Sequence, residues 1–170
     1  MNSDGPIYIA LGANLPFDGG TPQDTLQRCQ QVLAGRGVAI RAISGFWRSP
    51  AWPDRAKPDY LNAVAEIDTD FAPVALLDLL LEVEARFGRV REARWDSRTL
   101  DLDLIDYAEC QYNSDRLTLP HPRATSRAFV LLPLQEIARE WHDPVSGMAI
   151  KQLIAALPDA DRAATVRIDD

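Results

Sequence analysis

Cysteine, histidine and lysine are scarce in this sequence. Its 170 residues include two cysteines and two histidines, and all but two of its 18 basic residues are arginines. Cys29 and Cys110 belong to no CxxC pair, and no Cys/His set has the spacing of a zinc site. We therefore expect two reduced, buried thiols and a chain that relies on arginine for its positive charge.

Long apolar runs and an excess of positive charge are also missing. No apolar run approaches the ~20 residues that a membrane-spanning helix needs. The first six residues lack the basic region and apolar stretch of a signal peptide. The net charge of −7 argues against nonspecific nucleic-acid binding, which requires a basic surface. We expect a cytoplasmic monomer with no nucleic-acid or membrane partner.

Apolar periodicity predicts the element order β-α-β-β-α-β. Period-two alternation and short apolar runs indicate strands, whereas an apolar stripe with helical spacing indicates helices. The predicted strands cover 7–11, 38–47, 60–67 and 98–107, and the predicted helices run from Thr21 to Gly35 and over 73–87. This order predicts a ferredoxin-like α+β sandwich, with a mainly antiparallel sheet and the helices on one face.

An extension follows the last of these strands. Residues 112–119 are predicted to form a short strand or hairpin, 129–137 a helix capped by Thr125 or Ser126, and 150–157 a short helix. At 170 residues we expect one domain over 1–170. Its core should cover about 7–147, and residues 158–170 should form a polar C-terminal tail.

Two aspartates mark the last predicted core strand. In the stretch 99–104, three leucines alternate with Thr99, Asp101 and Asp103, so both carboxylates point to the same face. Their Cα atoms should be roughly 7 Å apart. Two carboxylates at this distance repel each other unless a cation lies between them. Magnesium suits such a pair, because it binds one or two carboxylates together with substrate phosphates.

Arginines cluster directly before this strand. Arg89, Arg91, Arg94 and Arg98 fall within ten positions, with Trp95 among them. Guanidinium groups bind phosphate oxygens in a bidentate manner, so the cluster favours a polyphosphate ligand beside the metal. The alternative is an edge strand with a solvated acidic face, preceded by ordinary surface arginines.

The segment 48–59 is rich in proline and contains Trp52. Three prolines in twelve residues make a semi-rigid loop. A long loop with an exposed aromatic residue between two strands suggests ligand binding. A packed surface loop in which Trp52 covers the core is the alternative. Similarly, the turn Gly12 to Asn14 either approaches a ligand or simply joins a strand to a helix.

Six motifs in the chain resemble one enzyme family. They lie at 8–15, 47–50, 58–63, 88–91, 98–103 and 119–123. In this order they resemble the 6-hydroxymethyl-7,8-dihydropterin pyrophosphokinases of folate biosynthesis, and the resemblance runs from residue 7 to about 147. It implies transfer of the terminal diphosphate of ATP to the hydroxymethyl group of the pterin, with release of AMP.

The resemblance also implies roles for particular residues. Two magnesium ions would bind to Asp101 and Asp103. The catalytic residues would be Arg89, Arg98, Asp101 and Asp103. The ATP site would contain Glu84, Arg91, Trp95, Arg98, His121 and Arg127. The pterin site would contain Ser49, Pro50, Trp52, Tyr60, Asn62 and Phe129. The side-chain amide of Asn62 would form hydrogen bonds with the polar edge of the pterin.

Two other functions remain open from the residues themselves. One is a different magnesium-dependent nucleotidyl or phosphoryl transferase, which would release pyrophosphate or ADP. The other is a non-catalytic nucleotide-binding module of the same fold. The adenylate product discriminates among these functions, because the resemblance implies AMP.

Overall fold

The computed structural model describes residues 5–88 and 98–168. Within these residues the strands are β1 (Ile7–Ala13), β2 (Ala39–Ile43), β3 (Phe46–Ser49), β4 (Tyr60–Asp68), β5 (Asp101–Tyr107), β6 (Tyr112–Asn113), β7 (Thr118–Leu119) and β8 (Val166–Ile168). The helices are α1 (Pro22–Ala34), α2 (Pro73–Arg86), α3 (Ala128–Ile137), α4 (Ile150–Ala156) and α5 (Asp159–Ala164).

One sheet of six strands organises the fold. Its order is β5-β1-β4-β3-β8, and β2 lies beside β4 as well. Every strand pairing in the described part of this sheet is antiparallel. The strands β6 and β7 form a separate hairpin, in agreement with the prediction for 112–119. The fold is therefore a mixed arrangement of helices and an antiparallel sheet.

Helices cover both faces of the sheet. On one face, α1 and α2 pack against the apolar side chains of β1 and β5 in a large core. On the other face, α3 and α4 pack against Tyr8, Val64 and Ile105 in a second core. The prediction that helices cover one face alone is therefore wrong. The second layer exists because α3 is apolar at every position except Gln135 and Glu136, so it must be buried on most of its surface.

The predicted strand 38–47 is divided into β2 and β3 at Ser44 and Gly45. The Ser44 hydroxyl accepts a hydrogen bond from the Val64 N–H at 3.0 Å. The Glu136 carboxylate accepts from the Gly45 N–H at 2.8 Å and from the Trp47 indole N–H at 2.9 Å. Side chains thus accept from the Val64 and Gly45 N–H groups at the break, while the Ser44 N–H still donates to the Val64 carbonyl oxygen at 3.0 Å. Local periodicity could not reveal it, because one partner comes from α3.

Several element boundaries differ from the predictions. The strand β5 begins at Asp101, three residues later than the predicted start at Arg98, and ends at Tyr107 as predicted. The helix α3 is preceded by Arg127, which makes no side-chain cap, so the predicted caps Thr125 and Ser126 are wrong. The Ser126 hydroxyl instead donates to the Arg123 carbonyl oxygen.

The segment 158–170, predicted to be a polar tail, contains a helix and a strand within its described residues. It forms α5 and then β8, and β8 pairs with β3 through Val166, Arg167 and Ile168. The Arg167 guanidinium contacts Glu136 at 2.8 Å, beside the break between β2 and β3. The end of the chain therefore extends the sheet.

The two thiols differ in exposure. Both cysteines are free, and Cys29 is buried as expected, but Cys110 is exposed, so that part of the expectation is wrong. Burial, with a smaller contribution from Glu84, raises the pKa of the Cys29 thiol to about 12. Within the part of the chain that the structure describes, no helix is long and apolar enough to cross a membrane.

The end of α2 gives a first prediction. Gly88→Ala should lower the free energy of unfolding by about 1–3 kcal/mol, because its left-handed backbone disfavours a side chain. Gly88 has a φ of +76°, and an added Cβ would lie 2.8 Å from the Phe17 ring. Urea unfolding measures the change.

Gly35→Ala is the matched control for Gly88→Ala. Gly35 follows α1 with a φ of −69°, and an added Cβ would lie 3.5 Å or more from its neighbours. We expect this variant to be unchanged or slightly stabilised, within about 1 kcal/mol. Equal destabilisation by the two substitutions would contradict the assignment of Gly88 as a position that requires glycine.

Candidate active site

The strand β1 places a pair of functional groups on one face of the sheet. Gly12 lies opposite Asn62 on β4 and opposite Asp101 on β5. Directly opposed residues point their side chains to the same face, and neighbouring strands are about 5 Å apart. Asn62 and Asp101 therefore share a face and are separated by one strand. An added Cβ at Gly12 would lie 3.4 Å from the Asn62 Oδ1 atom, so glycine keeps the surface between them open.

Two arginines face the two aspartates. The Arg98 Nη1 atom lies 2.7 Å from Asp101 Oδ1, and the Arg127 Nη1 atom lies 3.6 Å from Asp103 Oδ2. All four side chains are between 18% and 34% exposed, so these charges interact more strongly than they would in open solvent. The structure thus brings the predicted metal carboxylates together with two of the arginines predicted for the ATP site.

The two arginines have opposite pKa shifts. Burial alone would lower the pKa of Arg98, but the adjacent Asp101 outweighs it and the pKa is raised. Burial lowers the pKa of Arg127 more than Asp103 raises it. Both guanidinium groups remain charged at physiological pH, because an ordinary arginine titrates far above it.

His121 contributes a neutral ring to the same cluster. Its Nε2 atom lies 4.0 Å from Asp103 Oδ2, and its side chain is 17% exposed. Burial, and then the charges of Arg127 and Arg123, lowers the pKa of His121 to about 4. Because Nδ1 accepts a hydrogen bond from the Arg123 N–H, we assign the proton of the neutral ring to Nε2. That N–H points toward the carboxylates.

The amide of Asn62 is held in a fixed orientation. Asn62 is 5% exposed, and its Nδ2 atom donates to the Ser49 hydroxyl oxygen at 2.9 Å and to the Trp47 carbonyl oxygen at 3.2 Å. Its carbonyl oxygen lies on the side of Gly12. Ser49 is opposite Tyr60 in the sheet, so three of the predicted pterin residues are adjacent.

The remaining predicted pterin residues are Phe129, Pro50 and Trp52. The Arg127 guanidinium lies 5.4 Å from the centre of the Phe129 ring at the start of α3. Pro50 is half-buried after β3. Trp52 is 65% exposed, which is inconsistent with the alternative in which it covers the core. Its predicted contact with the pterin stays a prediction.

Glu84 lies in the core under β5, on the opposite face from the two aspartates. It is 2% exposed, and its Oε1 atom accepts a hydrogen bond from the Leu102 N–H at 2.7 Å. Leu102 lies between Asp101 and Asp103. In the described sheet β5 is an edge strand whose only neighbour is β1. The Leu102 N–H faces away from β1, and Glu84 supplies the acceptor that it would otherwise lack. Glu84 therefore fixes the backbone of the aspartate strand, and its predicted contact with ATP stays a prediction.

Three predicted residues, Arg89, Arg91 and Trp95, lie outside the described residues, as does Arg94. Their assignment to phosphate and nucleotide binding is therefore still a prediction. A contact between the Gly12 to Asn14 stretch and a ligand was one of two predicted alternatives, without a role for either side chain. Gly12 lies in β1, and Asn14 follows its last residue.

Comparison with solved structures defines the class of domain. A Plasmodium falciparum HPPK-DHPS structure matches 88% of this chain and 40% of its own, with a TM-score of 0.67 and 11% identity. A structure of HPPK-DHPS in complex with substrates matches 89% of this chain and 43% of its own, with a TM-score of 0.67 and 12% identity. The chain spans about two fifths of these longer proteins and shares their fold.

Comparison with sequences identifies the family. The model of the 7,8-dihydro-6-hydroxymethylpterin-pyrophosphokinase family matches residues 8–139. The 2-amino-4-hydroxy-6-hydroxymethyldihydropteridine pyrophosphokinase of Synechocystis is 43% identical over 86% of this chain and 73% of its own length. The Haemophilus influenzae enzyme of the same name is 39% identical over 89% of this chain and 92% of its own. The chain therefore belongs to the 7,8-dihydro-6-hydroxymethylpterin-pyrophosphokinase family. It is a pyrophosphokinase and hence a transferase.

The bond from Glu84 to β5 gives a second prediction. Glu84→Met should lower the free energy of unfolding by about 1–3 kcal/mol, because it leaves the buried Leu102 N–H without its acceptor. The amide of Leu102 should then exchange its hydrogen faster. Thermal or urea unfolding and hydrogen exchange measure the two effects.

Glu82→Met is the control for this substitution, since Glu82 lies on the same helix with its side chain 64% exposed. It should change stability by less than about 1 kcal/mol. A Glu84→Met protein as stable as the wild type, with the Leu102 amide still protected, would show that Glu84 does not hold the strand.

Proposed function

We propose that this chain transfers the diphosphate of ATP to the hydroxymethyl group of 6-hydroxymethyl-7,8-dihydropterin, releasing AMP, in folate biosynthesis. The single observation that best supports the proposal is the position of Gly12 between Asn62 and Asp101. One face of the sheet thereby offers a neutral amide for a heterocycle and a carboxylate pair for a metal–phosphate group. Family membership supplies the substrate class, because the related enzymes are named for this pterin.

The aspartate pair fits magnesium. Among residues 5–88 and 98–168, no group of three or more His, Cys, Asp or Glu side chains could hold a metal ion. Magnesium does not need such a group, because it keeps waters and binds one or two carboxylates together with substrate phosphates. We propose that Asp101 and Asp103 hold two magnesium ions. Once bound, the metal neutralises phosphate charge and makes the phosphorus easier to attack.

The cations beside the aspartates suit the phosphates of ATP. The Arg98 and Arg127 guanidinium groups present planar sets of donors that match phosphate oxygens. The neutral His121 ring offers one further N–H at Nε2 without adding charge. We propose that these three residues hold the nucleotide phosphates against the carboxylates. The predicted contributions of Arg89, Arg91, Trp95 and Glu84 are part of the same proposal.

The fixed amide of Asn62 suits the edge of a pterin. Ser49 and Trp47 already accept hydrogen bonds from its Nδ2 atom, which leaves its carbonyl oxygen to accept from a ring N–H. A buried group arranged in this way discriminates strongly against ligands that cannot complete the bond. We propose that Tyr60 and Phe129 contact the ring faces, with Pro50 and Trp52 contributing from the loop that follows β3.

Catalysis then depends mainly on positioning. In phosphoryl-type transfer the protein aligns the reacting groups and stabilises charge, with little covalent chemistry of its own. In this proposal, Asn62 orients the ring, and Arg98, Arg127 and His121 orient the phosphates. The hydroxymethyl oxygen must lose a proton as it attacks, and we propose that either Asp101 or Asp103 accepts it.

Finer structural expectations belong to the same proposal. The strand order β5-β1-β4-β3, with helices inserted after β1 and β4, supports a ferredoxin-like arrangement at the centre of a single domain. We also propose that the enzyme acts as a monomer in the cytoplasm. The small molecules ATP and pterin are its proposed partners.

The direct test is to identify the adenylate product. With ATP, magnesium and 6-hydroxymethyl-7,8-dihydropterin, we expect one AMP for each pterin diphosphate formed, and chromatography with mass detection measures both. Omitting the pterin controls for simple ATP hydrolysis. ADP or pyrophosphate as the main product would support another magnesium-dependent transferase. Binding without any turnover would support a nucleotide-binding module.

The metal proposal predicts a selective loss of turnover. Asp101→Asn and Asp103→Asn should each lower kcat by roughly 100-fold or more, because the loss concerns transition-state charge. Pterin affinity, measured by calorimetry without nucleotide, should change less than about threefold, since Asn62 and its partners are untouched. Asp115→Asn, on the exposed turn between β6 and β7, is the control. Near-normal turnover in both site variants would support the alternative interpretation, in which the two aspartates belong to a solvated strand face without a metal.

A further inference from the structure

The side chain of Asn14 connects two segments on either side of the proposed site. Asn14 follows β1 and is 2% exposed. Its Oδ1 atom accepts from the Arg98 N–H at 2.7 Å, and its own N–H donates to the Arg98 carbonyl oxygen at 3.0 Å. Its Nδ2 atom donates to the Pro58 carbonyl oxygen at 3.0 Å. One buried amide thus holds the segments before β5 and before β4.

These two segments carry groups from the two halves of the site. The guanidinium of Arg98 contacts Asp101, on the proposed metal–phosphate side. Pro58 is two residues before Tyr60, where β4 begins and leads to Asn62 on the proposed pterin side. Asn14 is hydrogen-bonded to both Arg98 and Pro58, so it fixes the distance between the metal–phosphate side and the pterin side of the site. The separation of the two bound substrates then depends on Asn14.

The chemistry of the connection requires an amide. The Arg98 N–H needs an acceptor and the Pro58 carbonyl oxygen needs a donor, and a carboxamide offers both at opposite ends of one planar group. A carboxylate of the same size keeps the acceptor but loses the donor. A buried group that loses its partner is destabilised more than an exposed one, so the bond to Pro58 is sensitive to this change.

We propose that Asn14 is a positioning residue that sets the pterin-side loop against the nucleotide-side strand. It acts on the substrates through Pro58 and Arg98 and touches neither substrate itself. The inference rests on the proposed function and adds a residue to it. A displacement of about 1 Å between reacting groups is enough to lower a rate by about 100-fold. The hydrogen bond that keeps the Pro58 segment in place therefore matters for turnover.

Asn14→Asp tests the connection to Pro58 alone, since it keeps an acceptor for the Arg98 N–H. We expect kcat/KM for the pterin to fall roughly 10- to 100-fold, with the KM for ATP within about threefold of the wild type. A buried carboxyl binds its proton at higher pH than an exposed one, and the protonated form can donate to Pro58. The loss of kcat/KM for the pterin should therefore become smaller as the pH is lowered. A purely structural defect would not show this dependence.

Asn113→Asp is the matched control, because it makes the same chemical change on the exposed hairpin residue of β6. It should leave both KM values and kcat unchanged. If Asn14→Asp does not fold, Pro58→Gly replaces it, since it keeps the carbonyl but loosens the same loop end. That variant must then show the same fall in kcat/KM for the pterin, with the KM for ATP little changed.

A KM for ATP that changes by more than about threefold, unchanged kinetics, or a loss of kcat/KM that does not depend on pH would overturn the role of Asn14. Such results with a wild-type enzyme that forms AMP would leave the proposed function intact. A wild-type protein that forms no AMP from pterin and ATP would instead contradict the proposed function itself.

Discussion

The pairing of β1 with β4 on one side and β5 on the other determines where the functional groups lie. Gly12 faces both Asn62 and Asp101, so a slip of one residue in either pairing would turn one of these side chains into the core. The register is strongly specified, because Ile9 and Leu11 of β1 and Leu102 of β5 must be buried against α1 and α2. Burial of apolar side chains on one face thus sets the geometry of polar groups on the other.

The second helical layer decides which part of that polar face stays accessible. The helices α3 and α4 cover the sheet near Tyr8 and Ile105, while the side chains of Asp101 and Asp103 stay partly exposed, at 21% and 34%. Arg127 therefore reaches Asp103 from a different element, and its charge helps to keep His121 neutral. The position of α3 therefore has two effects. It buries an almost entirely apolar helix against the sheet, and it places the charge of Arg127 beside Asp103 and His121.

Local patterns predicted much of the fold and part of the candidate site. Period-two alternation identified Asp101 and Asp103 on one face, and the Thr21-Pro22 pair correctly marked the start of α1 with a reciprocal cap. Interactions between residues distant in sequence were not predictable in this way. The break at Gly45 depends on Glu136, the addition of β8 depends on pairing with β3, and the burial of Glu84 depends on an N–H of β5. Each requires a partner that no local window contains.

The central claim is that the pterin and the metal–phosphate group meet across Gly12. A crystal structure with manganese in place of magnesium, a non-hydrolysable ATP analogue and the pterin tests it directly, because manganese is located by its anomalous scattering. We predict two manganese peaks bound by Asp101 and Asp103, with the pterin ring hydrogen-bonded to the Asn62 carbonyl oxygen. Manganese bound away from both carboxylates, or a pterin that does not contact Asn62, would contradict it.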